Sequence, residues 1–161
     1  MAVAVGLEPE KVREEIGFIY DRFDQDALTR WSLRPNVKDF LGELKAQGVR
    51  RALVSNIGNK ILHQALSQLD LEDAFEVKVS RNNVTHPKPN PQGIHLALGR
   101  LGVEKERGLF VGDSLDDVNA ARNAGMRVIV IADGENLKEE IVAAKPERII
   151  YDYSELLWDI R

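Results

Sequence analysis

From residue 51 onward, short apolar runs alternate with amphipathic segments, and this alternation limits the folds open to the chain. Runs such as Ala52–Val54, Leu109–Val111 and Val128–Ile131 have the length and composition of buried strands. The segments between them place apolar residues at helical spacing over about ten residues. Strands that alternate with helices form parallel sheets with helices on both faces. The sequence therefore predicts an α/β fold with a mainly parallel sheet in a three-layer sandwich.

The predicted elements begin with two helices and then follow this alternation. Pro9 can begin a helix whose apolar residues recur through Phe23, and Asp24–Thr29 breaks that period. Asn36 can cap a second helix, which Gly48 ends. The remaining pattern predicts strands over 51–55, 75–80, 109–112, 128–131 and 148–151, and helices over 60–69, 91–101, 116–124, 137–144 and 154–160.

Composition narrows the classes of partner. The 161 residues carry a net charge of -4, which argues against a broad surface for nucleic acid or anionic membrane. No apolar run approaches the ~18 residues of a membrane helix, and Met1–Val5 lacks the basic flank of a signal peptide. The absence of cysteine excludes disulfides and thiolate chemistry and fits a reducing compartment. We therefore expect a cytoplasmic protein that binds neither nucleic acid nor membrane.

Two carboxylates follow the predicted strand at 109–112. Asp113 lies just beyond the carboxyl end of this strand, where open α/β sheets place their chemistry, and Asp117 lies on the first turn of the next helix. Two carboxylates on one strand-to-helix turn suit a hard cation such as Mg²⁺. The alternative is that Asp113, Ser114 and Asp116 only cap the helix.

Polar groups also follow two other predicted strands. The side chains of Ser55 and Asn56, with the backbone amides leading into the next helix, can cradle a phosphate-sized anion, although such residues are equally common in turns. Lys88 lies among three prolines in the segment His86–Pro91, which has little freedom to lose. A preorganised lysine suits a phosphate or a developing oxyanion. The alternative is an exposed lysine in a rigid turn.

In order, spacing and flanking residues, these motifs resemble the haloacid dehalogenase superfamily, and within it the phosphoglycolate-phosphatase type. The resemblance runs from about residue 35 to residue 161. It rests on Ser55–Asn56, Lys88–Pro91, and Val111–Asp117 continuing into Ala120–Met126. It implies a Rossmann-like domain that catalyses Mg²⁺-dependent phosphoryl transfer from a small phosphomonoester.

The resemblance also implies a role for each motif residue. Ser55 and Asn56 would hold the phosphate, and Lys88 would neutralise the nucleophile and the phosphate. Asp113 would bind Mg²⁺, and Asp117 would support the metal directly or through water. The two aspartates indicate a phosphatase rather than a true dehalogenase, which needs no metal. The alternative function is a silent or truncated domain that binds phosphate and Mg²⁺, or a protein partner, without turnover.

The first motif of the family, a strand that ends in Asp-x-Asp and supplies the nucleophile, has no good copy before residue 51. Asp24 and Asp26 form one degenerate candidate, although the residues before them are not apolar. Ala2–Val5 is a second candidate for the strand, with its acids lost. In the third interpretation, residues 1–30 are the remnant of a helical cap and residues 31–161 are the core domain.

A missing first strand has a structural consequence. In the family it lies at the centre of the sheet, between the strand that ends at Ser55 and the strand that ends at Asp113. Its loss leaves two unpaired strand edges in the core, and unpaired buried backbone groups are costly. Either the N-terminal segment fills the position, a second chain fills it, or the two strands close up. A homodimer or strand-swapped oligomer is therefore one expected outcome.

Overall fold

The α/β fold is confirmed by a computed structural model, which describes residues 8–132 and 138–157. In these residues, helices and strands alternate from β1 onward. The helices are α1 (Pro9–Leu28), α2 (Val37–Ala46), α3 (Asn59–Gln68), α4 (Gln92–Leu101), α5 (Leu115–Asn123) and α6 (Lys138–Ala143). The strands are β1 (Ala52–Val54), β2 (Val77–Val79), β3 (Leu109–Gly112), β4 (Arg127–Ile131) and β5 (Arg148–Ile150). The Ala2–Val5 candidate lies outside the described residues.

The strands are all parallel to their neighbours but form two separate sheets. One sheet pairs β1 with β2, and the other has the order β3-β4-β5. Within residues 8–132 and 138–157, β1 and β3 each pair on one side only, and no strand lies hydrogen-bonded between them. In the described residues, the two strands have therefore not closed up, which is one of the three outcomes that the missing first motif left open.

Helix α4 packs against both sheets on one face. It contacts β1 and β2, and a Cβ added at Gly93 would lie 2.9 Å from Cγ1 of Val54. The next residue of the helix, Ile94, belongs to the core cluster that contains Val118 of α5 and Val130 of β4. The two sheets therefore share a helical layer although they exchange no backbone hydrogen bonds in the described residues.

Strand β4 lies at the centre of the core, and residues Val128 to Ile131 are all buried. Successive side chains of a strand point to opposite faces. Val128 and Val130 accordingly join the cluster formed with α4, α5 and α6, whereas Ile129 and Ile131 join Phe40 of α2 on the other face. This arrangement gives the predicted helix–sheet–helix layers.

Helix α1 is longer than predicted. The loss of apolar period over residues 24–29 predicted a break after Phe23, but the helix continues to Leu28. Leu28 is buried against Ile61 and Ala65 of α3, and this packing explains why the helix persists through a polar stretch. The side chains of Phe18 and Phe23 are 66% and 71% exposed, so the apolar face of this helix is not covered in the described residues.

Two other expectations differ from the structure. Asn36 precedes α2 as predicted, but instead of capping the helix its side chain donates to both carboxylate oxygens of Asp152, at 2.8 and 2.9 Å. The predicted helix over 154–160 is a short 3₁₀ turn, Tyr153–Leu156, and its remaining residues from 158 lie outside the described part. The domain division at residue 30 stays a prediction. Among the described residues, no helix has both the length and the apolar character needed to cross a membrane.

Candidate functional site

Lys88 and Asp117 form an ion pair at the carboxyl ends of the strands. Lys88 Nζ lies 2.6 Å from Asp117 Oδ1, and the two side chains are only 13% and 6% exposed. The ring of Phe110 on β3 lies 6.0 Å from Nζ. A charge-assisted hydrogen bond in such partly dry surroundings is strong and directional. Lys88 is therefore not an exposed lysine in a rigid turn, because its ammonium group is held in one place.

The second carboxylate oxygen of Asp117 organises the turn after β3. Oδ2 accepts the N–H of Asp113 at 3.0 Å, and the N–H and hydroxyl of Ser114 at 3.2 and 2.9 Å. Ser114 Oγ accepts the N–H of Asp117 in return, which makes a capping box. Gly112 permits this approach, because a Cβ there would lie 2.4 Å from Cβ of Asp117. The capping alternative is thus correct for Ser114.

Asp113 is the more accessible carboxylate, with 43% of its side chain exposed. Its Oδ2 accepts a hydrogen bond from Nη2 of Arg34 at 3.2 Å. Nη1 of Arg34 donates to the carbonyl oxygen of Ala132, just after β4, at 3.1 Å. Arg34 could not be identified from the sequence, because no motif or spacing connects the segment before α2 with the end of β3.

Asn56 connects the loop after β1 to the proline-rich loop. Its Nδ2 donates to the carbonyl oxygen of Lys88 at 3.0 Å, and its Oδ1 accepts the N–H of Lys88 at 2.9 Å. Asn123 of α5 holds the same loop from the other side, through a hydrogen bond to the carbonyl oxygen of Pro89. The predicted residues at 56, 88 and 117 are therefore brought together by direct contacts.

The backbone amides that lead into α3 already have protein acceptors, contrary to part of the predicted anion cradle. They belong to Ile57, Gly58 and Asn59, which donate to Ser55 Oγ (3.2 Å), Asp24 Oδ2 (3.1 Å) and Asn82 Oδ1 (2.7 Å). The hydroxyl of Ser55 accepts one of these bonds and keeps its own hydrogen to donate. An anion bound at this loop would thus use the Ser55 hydroxyl rather than the amides of residues 57–59.

Asp24 and Asp26 do not end a strand, so that part of the degenerate-motif interpretation is wrong. Both lie in the last two turns of α1. Asp24 is 18% exposed and accepts the N–H of Gly58, while Asp26 is 76% exposed and pairs with Arg30 in the next turn. The packing of Leu28 on α3 keeps this segment helical. The two acids therefore do not lie at the end of a strand, where the nucleophile motif would place them.

The carboxylates of Asp113 and Asp117 differ in how well they suit a magnesium ion. Among residues 8–132 and 138–157, no group of three or more acidic or histidine side chains forms a cage for a metal. Mg²⁺ commonly takes one or two carboxylates and completes its shell with waters and substrate phosphate. Asp113 suits such a site because it is accessible. Both oxygens of Asp117 are already bonded, so direct binding by Asp117 would require it to release Lys88 or the turn.

Tyr153 packs close to this edge of the sheet. Its ring stacks on Phe40, with the two centroids 5.4 Å apart. Burial raises the pKa of Tyr153, Arg34 opposes this shift, and the carboxylates of Asp113 and Asp117 add to it. The phenol therefore stays protonated at neutral pH and acts as a neutral wall beside the aspartates.

The sequence is similar to those of known hydrolases. The sequence model of the haloacid dehalogenase-like hydrolase family matches residues 3–131. The phosphoglycolate phosphatase of Photorhabdus laumondii is 32% identical over 148 residues, which cover 91% of this chain and 63% of that protein. The phosphoglycolate phosphatase of Salmonella choleraesuis is 34% identical over 140 residues, which cover 86% of this chain and 56% of that protein.

The fold has a similar counterpart among solved structures. A crystal structure of a predicted phosphoglycolate phosphatase from Haemophilus somnus matches with a TM-score of 0.79 at 30% identity, and covers 96% of this chain and 69% of that one. The chain spans only 56% to 63% of the length of the two enzymes compared above. The family match includes all three motifs, at residues 55–56, 88–91 and 111–117. This chain belongs to the haloacid dehalogenase-like hydrolase family.

Proposed function

We propose that this chain carries the phosphate-binding and charge-stabilising part of a magnesium-dependent phosphatase that acts on a small phosphorylated metabolite. The observation that carries the proposal is the contact series Asn56–Lys88–Asp117, which joins three separate motifs at one edge of the sheets. The similarity to phosphoglycolate phosphatases supports a phosphomonoester as the substrate. The cytoplasmic location expected from the sequence stays a prediction.

The residues of the site have different roles in the proposed reaction. The Ser55 hydroxyl donates to a phosphate oxygen, and the Lys88 ammonium, held by Asp117, neutralises negative charge that develops on the phosphoryl group. Asp113 would hold the magnesium ion, which when bound supplies further stabilisation of that charge. Because Asn56 fixes the backbone of Lys88 on both sides, the lysine does not have to reorganise during the reaction.

We also propose that an extended strand fills the position between β1 and β3, where the family places the strand of its nucleophile motif. Strands β1 and β3 are both apolar, and each is parallel to the one strand with which it pairs. Both are unpaired on the other side within the described residues. Ala52–Val54 and Phe110–Val111 are only partly buried although their composition suits a core. A strand from a second copy would make a homodimer or a strand-swapped oligomer. Sedimentation as a compact monomer would exclude that source.

The test is hydrolysis of an aryl phosphate with and without Mg²⁺ by the wild-type protein, Asp113→Asn and Asp24→Asn. We expect Mg²⁺-dependent turnover that Asp113→Asn abolishes and that survives in Asp24→Asn, because Asp24 lies on α1 and pairs with Gly58 and Arg81. Loss of turnover in both variants would instead support Asp24 as the nucleophile. Equal turnover of all three proteins without Mg²⁺ would contradict the proposal.

A second candidate function is a silent module that binds phosphate without turnover. The observation that favours it is the position of Asp24 and Asp26 on α1, which leaves the described residues without a recognisable nucleophile motif. Calorimetric binding of inorganic phosphate, together with no hydrolysis by folded protein, would support this function over the enzyme.

A further inference from the structure

Arg81 joins the N-terminal helix to the loop that follows β1. Its guanidinium is 17% exposed and donates to Asp21 Oδ1 at 2.7 Å and to Asp24 Oδ2 at 3.4 Å. The same guanidinium donates to the carbonyl oxygen of Asn56 at 2.8 Å. The backbone N–H of Arg81 donates to the carbonyl oxygen of Ile57 at 3.0 Å. We call Arg81, Asp21 and Asp24 the Arg81 cluster.

Helix α1 lies directly on this loop. Asp24 accepts the N–H of Gly58, and the ring of Tyr20 lies 5.0 Å from the guanidinium carbon of Arg81. A Cβ added at Gly58 would lie only 2.2 Å from Asp21 Oδ1, so a larger residue at this position would displace the carboxylate from Arg81. The contact is therefore a close fit of charged and backbone groups, which differs from the apolar packing of Leu28 further along the helix.

The contacts continue from this loop to the candidate phosphate site. Arg81 holds the carbonyl of Asn56, the Asn56 side chain holds the backbone of Lys88, and the Lys88 ammonium holds Asp117. Hydrogen bonds to ionised groups are among the stronger ones in proteins. Removal of the guanidinium would also leave Asp24 and the Asn56 carbonyl without this partner, and unsatisfied groups are costly where water is scarce.

We propose that Arg81 is a positioning residue of the phosphate site, and that the Arg81 cluster makes α1 a structural part of that site. Arg81 contacts no substrate in this account; it acts by fixing Asn56 and thereby Lys88. The proposal deepens the proposed function and rests on it, because it takes Ser55, Asn56 and Lys88 as the residues that hold phosphate.

The test compares Arg81→Met with Arg81→Lys, Asp24→Asn and the control Arg127→Met. Arg127, at the start of β4, forms an exposed ion pair with Glu147, and neither residue belongs to the contacts described above. Its replacement therefore controls for the removal of an arginine. The measurements are hydrogen exchange of the Lys88 amide, calorimetric affinity for inorganic phosphate, and urea unfolding. The KM and kcat for an aryl phosphate are added if the protein turns it over.

We expect Arg81→Met to speed exchange of the Lys88 amide and to weaken phosphate binding by about tenfold, the equivalent of one charge-assisted hydrogen bond. Arg81→Lys should recover part of both effects, because it restores a charge near Asp24. Asp24→Asn keeps the shape of the side chain and should change both quantities in the same direction but less. Arg127→Met should leave both unchanged.

Two results would overturn the inference. One is a folded Arg81→Met protein with wild-type exchange at Lys88 and wild-type phosphate affinity. The other is a loss of unfolding free energy with no change in either local measurement, which is what a purely structural role predicts. If the wild-type protein binds no phosphate, the proposed function fails, and the exchange of the Lys88 amide still decides whether Arg81 positions that residue.

Discussion

Strands β4 and β1 are both short, apolar and parallel to their neighbours, yet their surroundings differ. Val128 to Ile131 of β4 are all buried, with helices on both faces and a paired strand on each side. Ala52–Val54 of β1 is paired on one side in the described residues and is only half-buried. Apolar composition therefore predicts that a strand belongs in a core, but burial also requires the neighbouring strand. The partly buried edges of β1 and β3 flank the position where we propose that another strand fits.

The largest expected effect comes from breaking the contact that links the two sheets at their carboxyl ends. Lys88→Met leaves Asp117, which is 6% exposed, without its cation. We expect a loss of about 3–5 kcal/mol in the free energy of unfolding, measured with urea, and loss of the aryl phosphate hydrolysis proposed above. The double variant Lys88→Met/Asp117→Asn should regain stability but not activity. Wild-type stability of the single variant would contradict the account.

The comparison between the strands themselves can be tested by matched truncations. Ile129→Ala in β4 removes a side chain that is 4% exposed and should cost about 2–5 kcal/mol. Leu53→Ala in β1 should cost less than half as much, because Leu53 is half-buried and leaves a smaller cavity. Equal losses in urea unfolding would show that the edge of β1 is already covered in solution.

A smaller effect is expected at the accessible carboxylate. Arg34 donates to Asp113 at 3.2 Å and places a positive charge beside the proposed magnesium ligand. Arg34→Gln should strengthen Mg²⁺ binding several-fold, about five- to tenfold at low salt, because this repulsion is removed. Calorimetric titration with Mg²⁺ measures the change. Arg30→Gln, in an exposed pair with Asp26, is the control and should bind Mg²⁺ as the wild type does; an unchanged affinity in Arg34→Gln would show that Asp113 does not bind the metal.

The smallest effect is expected at Asp152, which precedes the 3₁₀ turn Tyr153–Leu156. Hydrogen bonds from Ser154 and then Asn36 hold the pKa of Asp152 below its usual range. A group with a lowered pKa stabilises the folded state above its unfolded pKa, about 3.9 for aspartate, and this stabilisation is lost as the pH falls through the folded pKa. Asp152→Ala should therefore melt slightly below the wild type at pH 7. The difference should shrink towards pH 3; a constant difference would show that the charge is not involved.

The parts of the site that could be predicted from sequence are those whose residues lie close together along the chain. β3 was predicted with its observed bounds, and Asp113 and Asp117 follow it within one turn. Gly112 leaves room for the side chain of Asp117, a constraint that the local sequence does not indicate. Alternation of strands and helices was enough to predict the α/β class.

The parts that could not be predicted depend on contacts between distant segments. Leu28 extends α1 because it packs on α3, which outweighs the polar pattern of residues 24–27. Arg34 and Arg81 lie 79 and 25 residues from the groups they hold, Asp113 and Asn56, and no local spacing indicates either pairing. The amides before α3 were expected to face an anion, but a carboxylate from α1 accepts one of them.

The most direct test of the central claim, that residues 55–56, 88 and 113–117 form one phosphate site, is the binding of inorganic phosphate observed by phosphorus NMR in the presence of Mg²⁺. This measurement does not depend on where the nucleophile comes from. We predict that wild-type protein shifts and broadens the phosphate signal, that folded Lys88→Met does not, and that Lys45→Met, which removes an exposed lysine on α2, behaves as wild type. Equal binding by the wild type and Lys88→Met would contradict the account.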